Sequence, residues 1–123
     1  MKLVWLALLA AYCGVIFYLS HQPSVLAPML FPYQDKLFHA MAYGVLGFLS
    51  LGYFKLVLIG YKHVLIIALV FSALYGASDE WHQSFIAGRD ADILDWLADC
   101  FGATLVISVM SFFSRKNQHL LSK

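Results

Sequence analysis

The run from Leu3 to Ser20, LVWLALLAAYCGVIFYLS, contains no charged residue and is long enough to cross a membrane as one helix. The apolar core of a bilayer is about 30 Å thick, so a spanning helix needs about 17 to 25 apolar residues. No small-x-small cleavage site typical of a signal peptide follows the run before His21. We therefore predict a retained membrane helix over residues 3–20.

Three further apolar runs follow, and each must be helical, because an unpaired backbone group in lipid costs several kcal/mol. The alternation typical of a membrane barrel strand is absent from them. The sequence therefore predicts an all-α fold, a four-transmembrane-helix bundle formed by one domain over residues 1–123. The predicted helices cover residues 3–20, 37–54, 63–79 and 93–114.

Composition argues against a soluble globular domain and against a nucleic-acid-binding protein. Hydrophobic residues make up 62% of the chain and charged residues 12%, whereas a soluble domain carries about 25% charged residues. The formal net charge is +1 and no basic stripe is present, so no nucleic-acid partner is expected. Cys13 and Cys100 lie inside apolar runs, where they are typical of small buried hydrophobic residues.

Lysine and arginine are distributed unequally between the two predicted membrane sides. The side of the N-terminus carries Lys2, Lys55, Lys62, Arg115, Lys116 and Lys123. The opposite side carries only Lys36 and Arg89. Because basic residues concentrate in cytoplasmic loops, we predict that both termini are cytoplasmic and that loops 21–36 and 79–92 face outward. The expected location is the inner (cytoplasmic) membrane, with several passes.

Polar residues gather on the predicted outward side. Asp35, His39 and Tyr43 are spaced four residues apart, so they share one face of a helix. Further polar stripes lie at the end of the third run and the start of the fourth: Tyr75, Asp79, Glu80, His82, Gln83, Asp92, Asp95 and Asp99. An ionisable residue at the centre of a membrane helix costs about 2.5–3.5 kcal/mol and marks a functional site by default. We expect an outward-facing polar pocket formed by the second, third and fourth helices.

The predicted aspartate stripe consists of Asp92, Asp95 and Asp99. Ionised carboxylates on one helix face repel one another, so another group must compensate their charge. The alternatives are ion pairs with Lys36 or Arg89, protonated carboxyl or histidine groups, or a bound divalent cation. The three aspartates are therefore candidate metal ligands. A satisfied hydrogen-bond network between helices is the structural alternative.

Other polar residues are candidates for chemistry or binding. The candidate acid–base residues are Glu80, His39 and His82. The candidate ligand-binding residues are Asp35, Lys36, Gln83 and Arg89, since a guanidinium group suits phosphate and carboxylate groups. No nucleophile elbow, HExxH motif or glycine-rich phosphate loop is present.

The sequence resembles the VanZ-like family of small membrane proteins over about residues 35–105. The matching segments are Asp35-Lys36-Leu37-Phe38-His39 with Tyr43, Asp79-Glu80-Trp81-His82-Gln83-Ser84-Phe85, Gly88-Arg89-Asp90, and Asp95, Asp99 and Gly102. By this resemblance the recurrent family positions are His39, Glu80, Gln83, Arg89 and Asp95. The chain departs from the family at Ala87, where proline is frequent, and at Asp99, where asparagine is frequent.

The resemblance implies an accessory role in the cell envelope, linked to reduced sensitivity to the glycopeptide teicoplanin, with no firmly attached chemical activity. The expected partners are membrane lipid and a lipid-linked cell-wall precursor or glycopeptide. The alternative is a membrane enzyme that acts on a lipid-linked phosphate or cell-wall precursor by carboxylate and histidine acid–base chemistry or with a metal. A proton or ion path is the weakest alternative, because the cytoplasmic halves of the helices lack ionisable groups away from their ends.

Overall fold

The computed structural model of the protein describes residues 1–23, 30–58 and 61–121. These residues form, in chain order, the helices α1 (Lys2–Ser20), α2 (Gln34–Val57), α3 (Tyr61–Gln83) and α4 (Ile93–Leu121), and this part of the chain contains no strand. All four helices are long and apolar enough to cross a membrane. The predicted all-α bundle with four membrane-spanning helices is therefore confirmed.

The helices extend beyond several predicted ends. Helix α2 begins at Gln34 rather than at residue 37, and α3 continues to Gln83 rather than ending at residue 79. The side chains of these polar turns have partners that the hydropathy pattern does not register. Lys36 pairs with Asp95 of α4, and Gln83 accepts a hydrogen bond from Arg89 in the following loop. The loop predicted over residues 79–92 shortens accordingly. Helix α4 continues to Leu121, past the predicted end at residue 114.

Two predictions about the ends and loops are left untested by the fold. Residues 24–29 of the predicted loop 21–36, and Lys123 among the counted cytoplasmic lysines, lie outside the described residues. An even number of spans places both termini on one side, but which side faces the cytoplasm stays a prediction from the lysine and arginine counts.

Helix α2 lies at the centre of the bundle and has α4 as its most extensive neighbour. At Gly102 of α4 a Cβ atom would collide with the backbone carbonyl oxygen of Ala40, and at Gly47 of α2 it would lie 3.1 Å from the Cα atom of Ala103. The two backbones therefore touch directly at two levels, as small residues allow in membrane helix pairs. This contact fixes how α2 and α4 are rotated towards each other.

Helix α1 is held against α2 and α3 by tyrosine hydroxyl groups. Tyr12 of α1 donates to the carbonyl oxygen of Ala42 at 3.0 Å. Tyr75 of α3 donates to the carbonyl oxygen of Cys13 at 2.6 Å. These bonds place the C-terminal half of α1 beside the end of α3, where the polar residues lie.

Large apolar side chains point away from the bundle along every helix. Leu74 in α3 is 66% exposed and Phe101 in α4 is 63% exposed, although both lie well inside their helices. The buried core is small and includes Leu9, Tyr43 and Leu46. An exposed apolar surface of this extent requires lipid around it, so the chain is a multi-pass membrane protein.

Replacement of Gly102 by alanine is expected to destabilise the bundle by about 1–3 kcal/mol, the usual cost of overpacking. The added methyl group would force α4 away from the Ala40 carbonyl. Thermal unfolding of the detergent-purified protein, followed by circular dichroism, measures the effect. Gly14→Ala is the matched control, because a Cβ at that position would lie in open space beside its own helix. Equal melting temperatures for the two variants would contradict the close α2–α4 contact.

Candidate functional site

The ionisable residues meet where α2 begins, α3 ends and α4 begins. We call His39, Glu80 and Asp99 the inner triad, and Asp35, Lys36, Asp92 and Asp95 the outer group. Helices α2, α3 and α4 each contribute one residue to the inner triad. The inner triad lies deeper in the bundle than the outer group. The sequence placed these residues on polar stripes of three separate helices. The structure brings the three stripes together.

Lys36 is the cation of the outer group. Its ammonium nitrogen lies 2.5 Å from Asp92, 2.8 Å from Asp95 and 2.9 Å from Asp35. Lys36 donates hydrogen bonds to Asp35 and Asp92 and forms an ion pair with Asp95. The bond from Lys36 holds the pKa of Asp92 below its usual range. The predicted relief of the aspartate stripe by an ion pair with Lys36 is present for Asp92 and Asp95.

The inner triad is centred on the imidazole of His39. Its Nδ1 atom lies 2.9 Å from Oδ1 of Asp99 and 4.0 Å from Oε1 of Glu80. Its Nε2 atom lies 3.9 Å from Oδ2 of Asp95. The imidazole of His39 therefore separates Asp99 and Glu80 from Asp95, and only the contact with Asp99 is short enough for a hydrogen bond.

Two carboxylate oxygens of the inner triad are buried without a hydrogen-bond partner among the described residues: Glu80 Oε1 and Asp99 Oδ2. Asp99 has no exposed surface and Glu80 is 7% exposed. A buried polar atom left unsatisfied costs about 1–3 kcal/mol, and more when it is charged. These oxygens are therefore buried polar atoms that the described part of the chain leaves unsatisfied.

Backbone contacts fix the position of Glu80. Its other carboxylate oxygen, Oε2, accepts a hydrogen bond from the backbone N–H of Asp92 at 2.8 Å. Asp92 in turn caps α4 by accepting from the backbone N–H of Leu94 at 2.8 Å. The end of α3 is thereby attached to the first turn of α4, and Glu80 Oε1 is held near His39.

Arg89 attaches the loop after α3 to the end of α1. Its guanidinium donates to the carbonyl oxygens of Gln22 at 3.1 Å and Leu19 at 3.3 Å, and to the side-chain oxygen of Gln83 at 3.3 Å. Gly88, predicted to lie in a turn, has a φ of 81°, which an L-residue rarely adopts. The predicted partners Asp92 and Asp95 are thus not the groups that Arg89 binds in the described chain. Its predicted role in holding an anionic ligand stays a prediction.

His82 lies apart from the inner triad. Its Nε2 atom is 3.1 Å from Nδ1 of His21, and its ring lies 4.7 Å from that of Phe17. It lines a groove of about 480 Å³ beside α1 and the end of α3. The structure therefore places His39 and Glu80 together and His82 elsewhere, so the three acid–base candidates do not form one group.

The geometry favours a different metal-ligand set from the predicted one. One ligand atom from each of His39, Glu80 and Asp99 lies within 4.8 Å of the others. Of the predicted ligands, Asp99 belongs to this set, whereas Asp92 and Asp95 lie against Lys36. The sequence placed Glu80 and His39 among acid–base candidates, and only the interhelical contacts show that they face Asp99.

A sequence model of the VanZ/LLP1 family matches residues 4–114, which is nearly the whole chain. No curated protein and no solved structure matches it significantly. The chain therefore belongs to the VanZ/LLP1 family, and the resemblance seen over residues 35–105 is confirmed over a longer range.

Replacement of Lys36 by methionine is expected to lower the free energy of unfolding by on the order of 2 kcal/mol. This value lies between the small effect of a surface ion pair and the larger effect of breaking a buried one, because the Lys36 side chain is 19% exposed. Chemical denaturation of the purified protein in detergent measures the change.

Two variants make the Lys36 experiment specific. Lys62→Met removes an exposed lysine from another part of the chain and should leave the stability unchanged. Adding Asp95→Asn to Lys36→Met should restore part of the loss, because one uncompensated carboxylate is removed. The role of Lys36 would be refuted by equal stabilities of Lys36→Met and Lys62→Met.

Proposed function

We propose that this member of the VanZ/LLP1 family is an accessory protein of the cell envelope that binds the polar head of a membrane-embedded ligand at its inner triad. The proposal is carried by two buried carboxylate oxygens, on Glu80 and Asp99, that have no hydrogen-bond partner in the part of the chain that the structure describes. A purely structural network of hydrogen bonds would be expected to satisfy these oxygens. Ionisable groups inside membrane helices are costly and are retained mainly at functional sites.

The position of the inner triad suits a ligand that lies in the membrane. The triad lies near the ends of three helices that are long and apolar enough to span a membrane, beside the outer group. The lysine and arginine counts favour the outer face of the cytoplasmic membrane for this end. A lipid-linked cell-wall precursor or a bound glycopeptide presents polar groups at that face, so these are the proposed ligands.

Teicoplanin sensitivity provides the cellular test. Expression of the chain in a teicoplanin-sensitive bacterium is expected to raise the minimal inhibitory concentration by at least one dilution step. Glu80→Gln should remove the effect, because it alters a carboxylate of the inner triad. Asp90→Asn is the matched control, since Asp90 is exposed in the adjacent loop, and it should behave as the wild type.

Membrane accumulation of each variant is measured in parallel by immunoblotting. An unchanged inhibitory concentration with abundant wild-type protein would refute the link to teicoplanin. Full protection by an equally abundant Glu80→Gln variant would refute the inner triad as the site.

A membrane enzyme is the second candidate, and the position of His39 favours it. An imidazole bonded to one carboxylate at 2.9 Å, with a second carboxylate at 4.0 Å, can accept and return a proton. In this function Asp99 would orient His39, and Glu80 would act as the acid or base towards a lipid-linked phosphate or cell-wall precursor.

Turnover of lipid-linked phosphates by the purified protein tests the enzymatic candidate, with released phosphate as the readout. Glu80→Gln and His39→Gln are expected to abolish turnover while the protein still accumulates in the membrane. Asp90→Asn should retain it. Absence of turnover by the folded wild-type protein would reject the enzyme for these substrates, and full turnover by both triad variants would reject the assigned residues.

A further inference from the structure

The inner triad has the arrangement of a small metal site. It offers one imidazole nitrogen and two carboxylates from three different helices, and the ligand atoms lie within 4.8 Å of one another. Two ligands of one ion, each bonded at about 2.0–2.2 Å, lie at most about 4.4 Å apart. The distances of 2.9 and 4.0 Å from His39 Nδ1 to Oδ1 of Asp99 and Oε1 of Glu80 satisfy this limit. The unpartnered Oδ2 atom of Asp99 belongs to the same carboxylate as Oδ1. A small movement of one carboxylate would bring all three atoms within it.

From this geometry we propose that His39, Glu80 and Asp99 bind one divalent transition-metal ion of the manganese or zinc type. The proposal deepens the proposed function, because it rests on the same site and names a partner for the two unpartnered carboxylate oxygens. Both oxygens belong to side chains that are more than nine-tenths buried. A bound cation would give these atoms the favourable interaction that the described chain does not supply.

Charge balance supports a cation of charge two. Lys36 forms its ion pairs with three outer carboxylates, those of Asp35, Asp92 and Asp95. The two inner carboxylates, Glu80 and Asp99, therefore receive no donor from Lys36. With His39 neutral, they carry two negative charges, which one divalent ion neutralises.

The surroundings of His39 fit metal ligation. A metal-bound histidine commonly directs its second ring N–H to a carboxylate, which orients the imidazole. Here His39 Nδ1 faces Glu80 and Asp99. The other ring nitrogen, Nε2, lies 3.9 Å from Oδ2 of Asp95. Asp95 is itself held by Lys36. A modest shift of the Asp95 carboxylate towards His39 Nε2 would complete a carboxylate–histidine–metal arrangement.

The donor set indicates the kind of metal. Imidazole suits zinc, iron, copper and nickel, whereas carboxylates suit manganese, magnesium and calcium. One imidazole with two carboxylates is compatible with both zinc and manganese, and it departs from the all-oxygen sets typical of calcium and magnesium. Three protein ligands leave coordination positions open for water or for a polar group of a bound ligand.

Manganese binding to the detergent-purified protein tests the site directly. After chelation and dialysis, Mn²⁺ is added and the free ion is quantified by electron paramagnetic resonance. We expect one bound ion per wild-type chain. Glu80→Gln and His39→Gln should weaken binding by about tenfold or more, and Asp90→Asn should bind as the wild type. Zn²⁺ should compete with Mn²⁺ at the same stoichiometry.

A wild-type measurement keeps the test decisive if the triad variants do not fold. Pulsed electron paramagnetic resonance of the Mn²⁺-loaded wild-type protein should show coupling to an imidazole nitrogen. Absence of a stoichiometric ion, absence of that coupling, or unchanged binding by a folded Glu80→Gln variant would each overturn the proposal. Protection from teicoplanin without metal binding would overturn the metal site alone, whereas metal binding without protection would leave it standing and reject the accessory role.

Discussion

The direct contact between the backbones of α2 and α4 determines the rest of the structure. Because Gly102 has no side chain, α4 can approach the carbonyl oxygen of Ala40. His39 is the neighbour of Ala40 in sequence, and Asp99 lies one turn before Gly102, so this approach brings the imidazole to 2.9 Å from the Asp99 carboxylate. Close packing of small residues is one of the contacts that set the rotation of helices in lipid, and here it acts together with the Lys36–Asp95 ion pair between α2 and α4.

Charges at this end of the bundle are arranged in two layers. In the outer group one lysine compensates three aspartates, and Asp92 also caps α4. In the inner triad two carboxylate oxygens have no hydrogen-bond partner within residues 1–23, 30–58 and 61–121. Arg89 contributes to neither layer, since it binds the last carbonyl groups of α1 and the side chain of Gln83. A structural scaffold thus surrounds a site whose own polar groups are incompletely satisfied.

The sequence was sufficient to predict the helices and the convergence of three polar stripes, because length, hydropathy and helical spacing are local properties. It could not predict which polar groups pair. Lys36 and Arg89 were equal candidates for the aspartates, yet of these two it is Lys36 that contacts Asp92 and Asp95. His82 pairs with His21 rather than with Glu80. These choices depend on the rotation and depth of each helix, which packing between small residues determines and which one sequence does not reveal.

The central claim is that α2 and α4 place His39 against Asp99 within the membrane. Nitrogen NMR of histidine-labelled protein in lipid nanodiscs, comparing wild type with Asp99→Asn, tests this claim most directly. The structure predicts that the His39 ring signals, assigned with His39→Gln, shift in the variant, while those of His21 and His82 remain in place. An unchanged His39 signal in a folded Asp99→Asn protein would contradict the convergence on which the site depends.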